Sequence, residues 1–147
     1  MTSAHNADRI GFLLSDVTRF FRAAFEREIA RAGLGVTAGE ARALSRIAAA
    51  RKGARQSEIA VELGIEPMTL SRYVDGLEKA GLVVRRFDPK DRRAKCVVPT
   101  DAAAPVLGAI RRLSDGLVAK METGLDDNEK ETLRKALRTM RDNSSRL

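Results

Sequence analysis

Apolar residues recur at helical spacing along the first fifth of the chain. Ile10, Leu14, Val17, Phe21, Phe25 and Ile29 form one stripe, widened by Leu13 and Phe20. Steps of three and four put such residues on one side of an α-helix, which predicts a long helix from about Asp8 to Arg31. Gly33-Leu34-Gly35 breaks it. Thr37 with Glu40 three residues later has the form of a capping box. The helix it starts turns Ala41, Leu44, Ile47 and Ala48 inward and ends near Ala50, at Arg51-Lys52-Gly53. A short third helix, Gln56 to Leu63, carries Ile59, Ala60 and Leu63. Gly64 makes a tight turn that Ile65 plugs. Pro67 suits the first turn of a fourth helix, because its missing N–H has no partner there anyway. That helix runs to Lys79 on a stripe of Leu70, Val74 and Leu77, and Gly81 closes it.

The period then changes. Leu82 to Arg86 and Lys95 to Val98 read as strands, joined by a polar loop from Phe87 to Ala94 that contains Pro89. Pro99 stops the second strand. Thr100 is expected to cap another long helix, to about Thr123, striped by Val106, Ile110, Leu113, Leu117 and Met121. Asp126 and Glu129 form a second capping box, and Leu133, Leu137 and Met140 stripe the last helix. The expected fold is mainly α with a small β-hairpin wing. It is a winged helix-turn-helix lobe plus a helical dimerisation region. The expected boundaries are 1–35 for an N-terminal tail and dimerisation helix, 36–100 for the winged helix-turn-helix lobe and 101–147 for C-terminal dimerisation helices.

Composition narrows the function. The 147 residues carry a net charge of +7, which favours a polyanionic partner. Cys96 is the only cysteine, so no internal disulfide forms, and a cytoplasmic setting is expected. No apolar run is long enough to cross a membrane. Met1 to Asp8 is polar and reads as a short tail without a signal core.

Double-stranded DNA presents base edges in its major groove to an α-helix that carries short donors and an Arg. The fourth helix offers Pro67, Met68, Thr69, Ser71, Arg72 and Asp75 opposite or beside its apolar stripe. Of these, Thr69, Ser71 and Arg72 are the candidates for base edges and nearby phosphates. The hairpin adds Arg85, Arg86, Lys90, Arg92, Arg93 and Lys95 against only Asp88 and Asp91. Arg side chains on such a tip can enter the narrow minor groove, and Asp91 can aim a neighbouring Arg through a bidentate pair. One module reads only a few base pairs, so a homodimer on half-sites about 34 Å apart is expected.

The stretch from Val36 to Thr100 resembles the bacterial MarR family of regulators. The matching pieces are Val36-Thr37-Ala38-Gly39-Glu40-Ala41, Gln56-Ser57-Glu58-Ile59-Ala60, Met68-Thr69-Leu70-Ser71-Arg72, Leu77 to Val83, and Asp88 to Lys95 with its Asp-Arg-Arg. The resemblance implies a homodimer with interlocked terminal helices on a palindromic operator. It implies Arg93 as a minor-groove finger braced by Asp91, with Arg92, Gln56 and Ser57 near phosphate. It also implies a small-molecule effector, often an aromatic acid, that releases a repressor from DNA. Pro99 and Ala103 depart from the family pattern, which usually has an apolar residue and a Gly there.

Other functions find less support. Acid–base or nucleophilic catalysis needs His, Cys or paired acids in a pocket, and His5 sits in the tail without a partner, so no enzyme and no cofactor is expected. Cys96 reads as a strand filler, with a redox-responsive thiol as the alternative. Gly33 to Ala38 imitates a dinucleotide-binding turn but follows a helix, not a strand. Asp126, Asp127 and Glu129 imitate a metal site, but a capped helix start accounts for them. An architectural DNA-binding protein without sequence preference or ligand response is the competing possibility.

Overall fold

The structure is a computed structural model that describes residues 8–50, 53–88, 90, 91, 93 and 95–147. Residues 1–7 of the expected tail, His5 among them, Arg51 and Lys52 at the end of the second helix, and Pro89, Arg92 and Ala94 of the hairpin tip lie outside the described residues. The chain forms two compact units, one ending at Ser114 and the other beginning at Asp115.

In the first unit, α1 spans Ile10–Ala32 and ends where Gly33 takes a left-handed φ of 61°. Only Phe25 and Ile29 of its stripe are buried, and Phe21 stacks on Phe25 with ring centroids 6.0 Å apart. The N-terminal half, from Ile10 to Phe20, leaves its large apolar side chains exposed. α2 (Ala38–Ala49) begins with the full capping box. The Glu40 N–H donates to Thr37 Oγ1 and the Thr37 N–H donates to Glu40 Oε1, each at 3.1 Å. Ala41, Leu44 and Ile47 line its buried side.

A two-residue strand follows, β1 (Ala54–Arg55), then α3 (Gln56–Leu63) and α4 (Pro67–Lys79). Gly64 joins the two helices at φ 63°, a conformation that disfavours any residue with a Cβ. Leu70, Val74 and Leu77 of α4 are fully buried. α4 packs closely on α2: a methyl on Gly39 would overlap the Tyr73 ring, and one on Gly76 would overlap the Glu40 carboxylate.

β2 (Val83–Phe87) and β3 (Lys95–Pro99) pair antiparallel from Val83↔Pro99 to Phe87↔Lys95. β1 was not expected; it pairs with the other side of β3, at Ala54↔Val97 and Arg55↔Cys96, giving the order β1-β3-β2. Pro99 ends β3 beyond the reach of β1, so its missing N–H costs the central strand no bond. Thr100 does not cap the next helix as expected. Its hydroxyl donates to the Gly81 carbonyl at 2.6 Å and its N–H donates to the Leu82 carbonyl at 2.9 Å, which extends the strand pairing by one residue. α5 (Ala103–Met121) therefore starts at Ala103, which is fully buried.

The second unit contains the end of α5 and α6 (Asp127–Ser144). Asp126 accepts from the Glu129 N–H at 2.8 Å, which is one half of the expected box. Arg134 pairs with Glu122 at 3.2 Å. No residue of α6 is buried, and Leu133, Leu137 and Met140 are each about two-fifths exposed.

Candidate nucleic-acid interface

The outward face of α4 follows from helical geometry. Leu70, Val74 and Leu77 repeat at steps of four and three and are buried. Met68, Arg72 and Asp75 repeat the same steps two residues earlier, about 200° round the helix, and are exposed. Pro67 opens the helix at the surface, Thr69 and Ser71 sit half-buried at the flanks, and Met68 is 69% exposed. At the start of α3, Ser57 is exposed and Gln56 half-buried.

The hairpin is shaped by its two acids. Asp88 Oδ1 accepts from the Lys90 N–H at 2.9 Å, and Asp91 Oδ1 accepts from the Arg93 N–H at 3.0 Å. Each is a side-chain-to-backbone bond two residues ahead, which mimics a backbone turn. Asp91 thus braces the main chain at Arg93, where the sequence suggested a bidentate pair with a guanidinium. Arg86, Lys90, Arg93 and Lys95 are all exposed, while Arg92 lies outside the described residues.

Two arginines point elsewhere. Arg55 of β1 grips Asp88 Oδ2 with Nη2 at 2.7 Å and Nε at 2.9 Å, tying the foot of the wing to the strand that leads into α3. Asp88 is buried at 8% exposure, and the sequence reading counted it only as one of two acids in a basic loop. Its spacing to Lys90 was a legible turn signal, but its partner lies 33 residues away. The Lys90 N–H, and then the Arg55 guanidinium, hold the Asp88 carboxyl below its ordinary value of 3.8.

Such a lowered carboxyl favours the folded state above the ordinary value, and the effect is lost as pH falls through the lowered one. Asp88→Asn is therefore expected to melt below wild type at neutral pH. The gap should stay constant down to about pH 4 and close on further acidification. Thermal melts across that range check this, and a gap that persists in strong acid would contradict it.

Arg85 of β2 turns inward at 18% side-chain exposure. Its Nη2 lies 2.7 Å from Asp75 Oδ1 and donates to the Ser71 carbonyl at 3.2 Å. Its Nη1 pairs with Glu78 at 3.2 Å, and its Nε donates to Gln56 Oε1 at 3.3 Å. Strand alternation foreshadows this, since Arg85 stands two residues after the buried Val83 and shares its side. Cys96 is half-buried on β3, in register with Arg55 on one side and Arg86 on the other.

Comparisons with known proteins converge. A sequence profile of the MarR family matches residues 34–94. The crystal structure of the transcriptional regulator PA3341 is 31% identical, with a TM-score of 0.79 over 95% of this chain and 100% of that one. A MarR-family regulator from Rhodococcus sp. RHA1 is 27% identical, with a TM-score of 0.78 over 91% and 93%. A MarR-family regulator from Listeria monocytogenes, solved in complex with a 26mer DNA, has the same fold at 24% identity, with a TM-score of 0.78 over 92% and 89%. With the recognition helix and most of the wing inside the profile match, and the fold shared over nearly the whole length, this chain belongs to the MarR family of transcriptional regulators.

Proposed function

We propose that the protein is a sequence-specific double-stranded DNA-binding repressor that acts as a homodimer on a palindromic operator, in the cytoplasm of a bacterial cell. The observation that carries this reading is the single lobe formed by α4 and the wing. It offers Met68, Thr69, Ser71 and Arg72 on a helix that fits a major groove, with Arg86, Lys90, Arg93 and Lys95 exposed on the hairpin beside it. Pro67, Gln56 and Ser57 complete the expected DNA-facing set, Arg92 joins it from the family pattern, and Asp91 holds the turn. The DNA complex of the Listeria relative supports the same use of the fold.

Homodimerisation is supported by apolar surface that the chain leaves open. In α1, Ile10, Phe12, Leu13, Leu14, Val17 and Phe20 are exposed. A monomer rarely leaves a patch of that kind uncovered. In this reading, release comes from a small aromatic acid that binds a dimer with the wrong recognition-helix spacing better than the DNA-bound one.

The test is an anisotropy titration against the DNA upstream of the protein's own gene and against random DNA, across a salt series. A large affinity ratio at physiological salt is expected; equal, steeply salt-dependent binding to both would make the protein architectural. Two variants sharpen it. Arg93→Ala should weaken operator binding with little change in melting temperature, and normal binding would remove the wing tip from the mechanism. Arg72→Ala should cost roughly 1–3 kcal/mol of discrimination between operator and random DNA if Arg72 reads a base.

A further inference from the structure

We propose that Arg85 is a positioning residue for DNA recognition, not a DNA contact: an internal counter-ion that masks Asp75 and Glu78 on α4 and locks that helix to the wing. The inference rests on the DNA-binding reading above.

Asp75 shares the exposed face of α4 with Met68 and Arg72. A free carboxylate there would meet the phosphate backbone, and like charges forced together in a closing interface are strongly repulsive. Arg85 removes that repulsion from within the fold. Its guanidinium has five N–H donors, and four partners already occupy it: Asp75, Glu78, Gln56 and the Ser71 carbonyl. Reaching outward to a phosphate would require giving these up.

The same contacts bridge three elements. Gln56 is on α3, Ser71, Asp75 and Glu78 are on α4, and Arg85 itself is on β2, where its N–H also donates to Glu78 Oε2 at 3.2 Å. The planar fork of an Arg can serve several acceptors in fixed directions, which the point charge of a Lys cannot. Arg85 therefore sets how the recognition helix stands against the wing, and through that which sequence the two read together.

The experiment uses the full chain and two duplexes, one enriched by the wild-type protein from a randomised pool and one unselected duplex of equal length. Affinity is measured for each across a salt series. Arg85→Gln is expected to lose about tenfold or more on the selected duplex and to narrow the ratio between the two. Adding Asp75→Asn and Glu78→Gln to that variant should recover part of the lost affinity, with the wild-type salt slope, because no carboxylate is then left to mask, while the ratio between the duplexes stays narrowed because the tie between helix and wing is still gone. Three results would overturn the proposal: an unaffected Arg85→Gln, equal loss on both duplexes with a salt slope smaller by about 0.9, or no recovery in the triple variant.

Should Arg85→Gln fail to fold, Arg85→Lys decides. It keeps the charge without the fork, so positioning predicts reduced selectivity, whereas a phosphate contact would leave affinity and slope at wild-type values. A wild-type protein that enriches no sequence from the pool would overturn the DNA-binding reading and this inference with it, which separates that failure from the others.

Discussion

Glutamate placed at both Leu133 and Leu137 is expected to convert the proposed homodimer to monomers and to lower affinity for the proposed operator by on the order of 10²–10⁴-fold. Leu133, Leu137 and Met140 recur at steps of four and three on α6, so they form one apolar stripe that stays about two-fifths exposed along a helix with no fully buried residue. Charge on that stripe leaves the core of the lobe untouched, because none of its buried side chains comes from α6. The loss arises from valency. Two linked modules make the second half-site contact intramolecular, and separate modules forfeit that effective concentration. Sedimentation equilibrium reads the mass, and titrations on a full palindrome and on a single half-site read the affinity. Half-site binding should be unchanged. A variant that stays dimeric, or a monomer that binds the palindrome as tightly as wild type, would remove α6 from the proposed interface.

Leu77→Ala should cost roughly 2–5 kcal/mol of stability, a large part of what holds a domain of this size together. Leu77 is fully buried at the last inward position of α4. α4 as a whole packs against α2, α3 and β2, so few of its neighbours are free to collapse into a cavity. Met68→Ala on the outer face of the same helix supplies the contrast. At 69% exposure it should change stability by no more than about 0.5 kcal/mol, while altering DNA binding if Met68 meets the groove. Urea denaturation with matched slopes measures both. A cost for Leu77→Ala as small as that for Met68→Ala would mean that α4 is not seated as described.

The elements legible in the sequence were those whose signals are local. The Thr37–Glu40 box, the helix break at Gly33, the tight turn at Gly64, Pro67 in a first helical turn, and the 70–74–77 stripe each lie within a few residues of what they specify. Their energetics are complete at short range, so the helices, the hairpin and the outward face of α4 could be read without a partner in view. β1 could not be read, because two residues carry no period and the strand exists only through its pairing with β3, some forty positions further on.

The arginines divide along the same line. Arg85, Arg86 and Arg93 are identical in type and all lie in one basic run, and only tertiary structure separates them. Strand pleating turns Arg85 toward Asp75 and Glu78 on α4, while Arg86 and Arg93 stay exposed. Arg55 found Asp88 only because β1 and the foot of the wing meet across β3. The apolar half of α1 shows the converse case: its pattern declares a buried face, yet the folded chain leaves it open. By itself the sequence determined the helices, the wing and the charge they carry. Which charges are spent inside the fold and which remain for a partner was decided by contacts between elements, since an ion pair depends on distance in space and carries no mark along the chain.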